Sequence, residues 1–349
     1  MPRALILGGT GLVGRAVARR LVRSGWQVDV TGRDPIRLPA EVAAAGGSFI
    51  RADRADPREL HGALGGGADL VVDCLCYTAA DARRLVPLTR DVTSVVMISS
   101  RAVYVDGAGD HVNSEKVPVF DRAVTEAQPT MLPSDADPNS REGYGANKVA
   151  AEQVLLDSGQ PVTVLRPSRI HGAGAKRPLE WVFVKRVLDR RPAVLLAHGG
   201  AGADHPTAAA NLAALVEVVA ADPGRRILNC ADPDVPTGRE IARTIATHLG
   251  HTWDEVLLDD ADPEWLGRHP WDTRPPFILD PTAAADLGYV PVGDYAATVV
   301  EELDWLVAGA TGVGERGGAR LPAGLDEEFF AASFDYAAED VFRAGCAAR

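Results

Sequence analysis

The residues best equipped for chemistry stand in Tyr144-Gly145-Ala146-Asn147-Lys148. On a helix, a tyrosine and a lysine at i and i+4 share one face. A free phenol, with a pKa of about 10, is a poor base at neutral pH, and a neighbouring ammonium favours its ionised form. Such a tyrosine can take or give a proton at a carbonyl or alcohol oxygen. The pair occurs by chance in many helices, so its weight depends on its company. Ser99 and Ser100 close the apolar run that starts at Ser94. Open parallel sheets bind ligands beyond the carboxyl ends of their strands. A strand ending at Ser100 would therefore bring a hydroxyl to the phenol.

A second constellation opens the chain. Ala4-Leu5-Ile6-Leu7 runs into Gly8-Gly9-Thr10-Gly11-Leu12-Val13-Gly14, and then into an amphipathic segment. Glycines at this spacing permit a tight turn, let backbone approach a pyrophosphate and allow close helix–strand packing. The free N–H groups of the helix start face the phosphates. A strand before and a helix after make this a dinucleotide site. Past the second strand, Arg33 could grip a 2′-phosphate bidentately, with Arg15 as a second contact, whereas the adjacent Asp34 could reach a ribose. NADP is the expected cofactor, with NAD as the alternative. Asp53, past the third strand, is expected either to accept from the adenine amine or to serve as a helix cap or turn residue.

Strands must carry these groups. Apolar runs at 4–7, 28–30, 48–50, 68–76, 94–99 and 162–165 alternate with helical segments, such as 12–24, where Val13, Val17 and Leu21 share a face. Such alternation predicts an α/β fold, a doubly wound parallel sheet of Rossmann type with a smaller C-terminal substrate lobe. The expected division is a dinucleotide-binding core over 1–165, a substrate lobe over 166–306 interleaved with the last strands, and a linker and helical tail over 307–349. Residues 105–140 interrupt the rhythm as a long functional or mobile loop.

Taken together, these motifs resemble the extended short-chain dehydrogenase/reductases of the NAD-dependent epimerase/dehydratase family. The likeness rests on the glycine turn, Ser99-Ser100-Arg101-Ala102-Val103-Tyr104, Tyr144 with Lys148, and Leu165-Arg166-Pro167 ahead of His171-Gly172. Asp280 with Ala284, Leu287-Gly288-Tyr289 and Trp305-Leu306 complete it over about residues 3–306. The resemblance implies a catalytic set of Ser100, Tyr144 and Lys148. In it Tyr144 is the acid/base, and Lys148 holds the nicotinamide ribose and lowers the phenol pKa. It also implies cofactor contacts from Gly8, Thr10, Gly11, Leu12, Val13, Gly14, Arg33, Asp53, Cys76, Lys148, Pro167 and Ser168, with Arg166 either beside the last two or in a structural ion pair. Dehydratases of the family often carry Asp-Glu after the catalytic hydroxyl. Arg101-Ala102 stands there instead, which argues against water elimination. The expected activity is hydride transfer between a nicotinamide and a carbonyl or alcohol of a small polar metabolite. Nucleotide-sugar epimerisation is the alternative.

Composition excludes other classes. The 349 residues carry 36 Lys+Arg against 48 Asp+Glu, a net charge of −12, which disfavours nucleic acid and anionic membrane as partners. The N-terminal apolar run is too short for a signal peptide, so a cytoplasmic enzyme is expected. Cys74, Cys76, Cys230 and Cys346 read as reduced, buried thiols. His171, His198 and His205 show no ligand spacing, and no metal is expected. Lys176, Arg177, Lys185, Arg186, Arg190 and Arg191 read as a solvated helix face or, alternatively, a diphosphate grip. The helical 325–344, with four of the eight phenylalanines, is expected to pack on the body or on a partner subunit, which raises a homodimer.

Overall fold

The computed structural model describes residues 1–32, 38–260, 262–263, 265–314 and 318–347. Arg33 and Asp34, and the side chain of Cys346, lie outside them. The chain folds into two units. The first comprises 1–170, 206–233 and 278–293; the second comprises 171–205, 234–277 and 294–349. The boundary expected at 165/166 therefore becomes several crossings. Two later segments return to the first unit because they complete its sheet and cover one face.

In the first unit the strands are β1 (Arg3–Leu7), β2 (Gln27–Gly32), β3 (Ser48–Arg51), β4 (Ala68–Asp73), β5 (Val92–Ile98), β6 (Val162–Pro167) and β10 (Arg226–Cys230). They form one seven-stranded parallel sheet in the order β10-β6-β5-β4-β1-β2-β3. The order turns at β1, so the crevice beyond β1 and β4 is where such a sheet places its ligand. On one face lie α1 (Leu12–Arg23) and α7 (Ala209–Ala221), with α9 (Thr282–Ala285); α2 (Ala40–Ala44) adds Val42. On the other lie α3 (Pro57–Leu64), α4 (Ala79–Leu85) and α5 (Arg141–Leu156). Val17 and Leu21 of α1 are fully buried, each contributing about 1.5–3 kcal/mol. Two short strands, β7 (Arg169–His171) and β9 (Pro206–Ala208), mark where the chain leaves the first unit and where it returns.

Strand β4 stops at Asp73, not at Cys76 as the alternation suggested. Asp73 Oδ1 accepts the Leu75 N–H (2.8 Å), folding the chain into a turn. Cys76 and Cys230 are fully buried and Cys74 half-buried. Burial pushes the Cys74 thiol up to about 12.

The second unit is built from α6 (Trp181–Leu188), β8 (Ala193–Leu196), α8 (Gly238–His248), β11 (Asp254–Leu257), α10 (Tyr295–Thr298), α11 (Val300–Gly309) and α12 (Tyr336–Ala347). Its core gathers Trp181, Phe183, Trp271, Leu303 and Phe330, and β8 pairs with β11 in parallel. Of the basic cluster, Lys176, Arg177 and Arg190 are exposed, whereas Lys185, Arg186 and Arg191 form neither a solvated face nor an open anion grip. Arg186 is buried, its Nη2 donating to Glu339 Oε1 (2.6 Å) and to the Ser333 carbonyl (2.8 Å). Arg191 donates to both oxygens of Asp340 (3.1 and 2.5 Å), and Lys185 pairs with Asp189 (2.8 Å). The acids that cover Arg186 and Arg191 come from the chain's own last helix. Within the stretch taken for a linker, Ala319 is buried and its N–H donates to Asp189 Oδ1 (2.6 Å).

His269 gives this unit a pH-dependent stability. Its ring lies 6.0 Å from that of Phe183, tilted by 45°, and neither nitrogen has a hydrogen-bond partner among the described residues. Burial first, then the cations Arg268 and Arg186 and the neighbouring His198, push its pKa down to about 4. The unfolded chain takes up this proton near pH 6.5 and the folded chain does not, so stability is complete above about 6.5 and is lost as pH falls toward 4. Chemical denaturation at pH 7 and 4.5 should show a loss of about 2 kcal/mol that His269→Gln largely removes. Equal pH slopes in the two proteins would contradict this origin.

Candidate active site

Helix α5 begins where the Ser140 side chain accepts the Gly143 N–H (2.9 Å). Tyr144, Lys148 and Glu152 follow on one face at successive i+4 spacings. Strand β5 delivers Ser99 and Ser100 to the same end of the sheet. Ser100 Oγ accepts the Ala102 N–H (3.1 Å) and starts a 3₁₀ turn over Arg101–Val103. Helix and turn approach closely because Gly145 has no side chain. A Cβ there would overlap the Ala102 carbonyl oxygen and lie 2.5 Å from Met131 Sδ. Helix propensity alone would make Gly145→Ala stabilising by about 1 kcal/mol. The overlap is with backbone that cannot swing aside, so the variant is expected to lose about 1–3 kcal/mol instead and to lose turnover by about tenfold or more as the tyrosine shifts. Urea midpoints and initial rates test this; a variant as stable and active as wild type would refute the close fit.

Burial raises the Tyr144 phenol above its ordinary value, and its hydrogen bond with Ser100 opposes the rise without cancelling it. Tyr144 is half-buried and protonated at neutral pH. Lys148 is 2% exposed. Its Nζ donates to the carbonyls of Cys76 and Ile98 (both 2.9 Å), tying the ends of β4 and β5 to α5. Burial lowers its pKa, with Asp73 and Glu152 among the groups opposing the fall. The expected pull of this ammonium on Tyr144 is not among the influences on the phenol; burial and Ser100 are.

Two neighbours escaped the sequence reading. The Tyr77 ring lies 4.3 Å from Lys148 Nζ, a cation–π contact, and its phenol is close enough to Tyr144 to be raised by it as well as by burial. Glu152 accepts from Ser99 Oγ and from Arg166, Nη2 at 2.5 Å and Nε at 3.1 Å. Arg166 thus holds the structural ion pair, with its guanidinium over the Tyr104 ring at 4.8 Å. No local spacing announces either contact. The loop over 105–140 is tied at both ends and the middle. Val105 N–H donates to the Pro129 carbonyl (3.0 Å), Met131 N–H to the Val103 carbonyl (2.8 Å) and Asn147 Nδ2 to the Ala136 carbonyl (2.6 Å).

The glycine turn opens on a cleft of about 750 Å³ lined by Gly8, Thr10, Gly11, Thr31, Gly32, Arg51, Asp53, Arg54 and Leu75, among others. Gly8 has φ +83°, and a Cβ at Gly14 would overlap the Gly8 carbonyl and stand 2.6 Å from Gly9 Cα. Leu12 and Val13 are half-buried in the first turn of α1. Asp53 is exposed at the cleft wall and accepts the Ala55 N–H (2.8 Å); the cap of α3 is Asp56. Arg54 is engaged by Asp73 and Asp81. The Cys76 side chain belongs to the core, so what it offers is its carbonyl. Pro167 and Ser168 are buried, and Ser168 Oγ has no hydrogen-bond partner among the described residues.

The sequence profile of the NAD dependent epimerase/dehydratase family matches residues 4–227, nearly two thirds of the chain and the whole of this geometry from glycine turn to lysine. The chain belongs to that family. It is an NAD(P)-dependent enzyme. A probable dTDP-4,6-dihydroxy-2-methyloxan-3-one 4-ketoreductase of Streptomyces antibioticus is 26% identical over 271 residues, 75% of this chain and 78% of that protein. The fold resembles dTDP-glucose 4,6-dehydratase of Bacillus anthracis in complex with NAD (TM-score 0.67, 14% identity, 88% of this chain and 97% of that one). It also resembles UDP-glucose 4-epimerase of Thermotoga maritima with UDP-glucose (0.65, 16%, 88% and 99%). The family's dinucleotide fits what is here: a steric requirement for glycine at the turn, a cleft of adequate volume and an unpartnered hydroxyl at Ser168. No helix among the described residues is long and apolar enough to cross a membrane.

Proposed function

We propose that this enzyme reduces a ketone on a small polar metabolite, with NADPH as the favoured reductant. The observation that carries the reading is the protonated, half-buried Tyr144 hydroxyl hydrogen-bonded to Ser100. A phenol held in its acid form is ready to give its proton to a carbonyl oxygen that is becoming an alkoxide. Ser100 holds that oxygen. Lys148 fixes the ends of β4 and β5 and would hold the ribose and pull on the phenol once a dinucleotide is bound. Gly8, Thr10, Gly11 and Gly14 would cradle the pyrophosphate, with Asp53 toward the adenine and Pro167 and Ser168 toward the nicotinamide. The dinucleotide supplies the hydride. Arg101-Ala102 after Ser100 puts no carboxylate where water elimination needs one.

The cofactor preference rests on the end of β2. It closes on Gly32, not on a carboxylate, and Arg51 from the adjacent strand lines the cleft. Arg33 and Asp34 follow in sequence, the first suited to a 2′-phosphate and the second to a ribose hydroxyl, and Arg51 favours the phosphate. NADPH should bind at least tenfold more tightly than NADH in a fluorescence titration; a tenfold preference for NADH would overturn this part. Nucleotide-sugar epimerisation is the second reading, favoured by the family and the fold. An epimerase would keep its dinucleotide through purification and turn substrate over with no net change in reduced-nicotinamide absorbance. The proposed reductase consumes that absorbance in proportion to product.

A further inference from the structure

The second unit buries a set of side chains that the proposed reaction does not use. His171 at the end of β7, Glu180 at the cap of α6 and Glu302 on α11 are all buried, and one ligand atom from each lies within 4.8 Å of the others. Glu302 Oε2 accepts the Gly172 N–H (2.6 Å) and sits 4.0 Å from His171 Nδ1. Glu180 Oε1 accepts from the Tyr295 hydroxyl (3.2 Å). These contacts leave Glu302 Oε1 fully buried with no hydrogen-bond partner among the described residues. No cation is among the influences on the Glu302 carboxyl; burial and the neighbouring Glu180 both raise it. Two buried acids this close are expensive unless something positive lies between them.

We infer that His171, Glu180 and Glu302 form a binding site for one divalent transition ion of the zinc type. The donor set argues for this class. An imidazole with two carboxylates suits zinc and its first-row neighbours, whereas magnesium prefers oxygen ligands and retained waters. Three one-atom ligands and a water complete a tetrahedral shell. Two carboxylates cancel the charge of the ion. The backbone N–H of Gly172 and the hydroxyl of Tyr295 fix the two acids from behind, as outer partners of metal ligands do. The ligands come from three separate segments, so the ion would act as a clip between the end of β7, α6 and α11. Its role is structural and independent of the assignment of Tyr144.

The test uses the full chain stripped with chelator and dialysed. Zinc chloride should bind at one equivalent per chain in calorimetry and raise Tm by roughly 5 °C at a hundredfold excess over Kd. Magnesium chloride should do neither. Glu302→Gln keeps the shape and removes the like-charge pair, so it should fold at least as stably as the stripped wild type, yet bind zinc at least a hundredfold more weakly. His171→Phe should fail in the same way while keeping a ring beside Tyr295. Absence of one-equivalent zinc uptake by the folded wild type would overturn the proposal and leave a proton shared by the two acids. So would uptake unchanged in both variants, which would place the ion elsewhere.

Discussion

Tyr144→Phe is expected to lower turnover by about a hundredfold or more while leaving dinucleotide affinity unchanged. The ring remains, so the packing of α5 against the turn at Ser100 remains. What is lost is one hydroxyl, together with its hydrogen bond to Ser100 and the proton it supplies. A hundredfold loss corresponds to about 2.7 kcal/mol of transition-state stabilisation, within the range of a single general acid. Because burial holds the phenol in its acid form, the wild-type rate of reduction should stay level through neutral pH and fall only as the phenol ionises. The variant should lack that alkaline limb. The measurement pairs steady-state rates, on any carbonyl compound that the wild type reduces, with a fluorescence titration of NADPH. Near-wild-type turnover would remove Tyr144 from the chemistry; lost cofactor binding would show that the residue positions the dinucleotide instead.

The second large effect is on stability. Glu152→Leu should destabilise the protein by about 3–5 kcal/mol, because it strands the buried Arg166 guanidinium without its counter-charge. Ser99 loses its acceptor in the same change. The damage should spread along a chain of contacts. Arg166 lies over Tyr104, whose hydroxyl donates to Asn229 Oδ1 (2.6 Å), and Asn229 Nδ2 in turn donates to the Val124 carbonyl (2.8 Å). The double variant Glu152→Leu/Arg166→Met should recover most of the loss, since an apolar pair of similar size removes both charges together. Urea unfolding of the three proteins decides the matter. A single variant within 1 kcal/mol of wild type would mean that water reaches the guanidinium.

How far the sequence reveals this molecule depends on the range of the interaction. The glycine turn is local: a strand, three glycines and an amphipathic helix are written within some twenty residues, and the structure follows them closely. Tyr144 and Lys148 are local too, one helical turn apart. Ser100 became legible through the resemblance of its segment to a family pattern. Contacts between distant positions were not readable. Tyr77 and Lys148 are 71 residues apart, and nothing in either neighbourhood predicts a ring above an ammonium. The basic run on α6 looked solvated because its acids lie some 150 positions later, on α12. Cys76 was placed on a strand because apolar alternation continues past Asp73, yet the carboxylate of Asp73 bends the backbone there. Periodicity records what a strand could be, whereas a side chain that captures the next N–H decides where it stops. His171, Glu180 and Glu302 have no spacing at all; only the fold brings them into one place.

The packing of α12 bears on how the protein should be handled. Glu339 and Asp340 neutralise Arg186 and Arg191, so residues 336–347 are part of the wall of their unit and not an appendage. A purification handle or a fluorescent reporter fused behind that helix would pull on two ion pairs that hold guanidinium groups out of water.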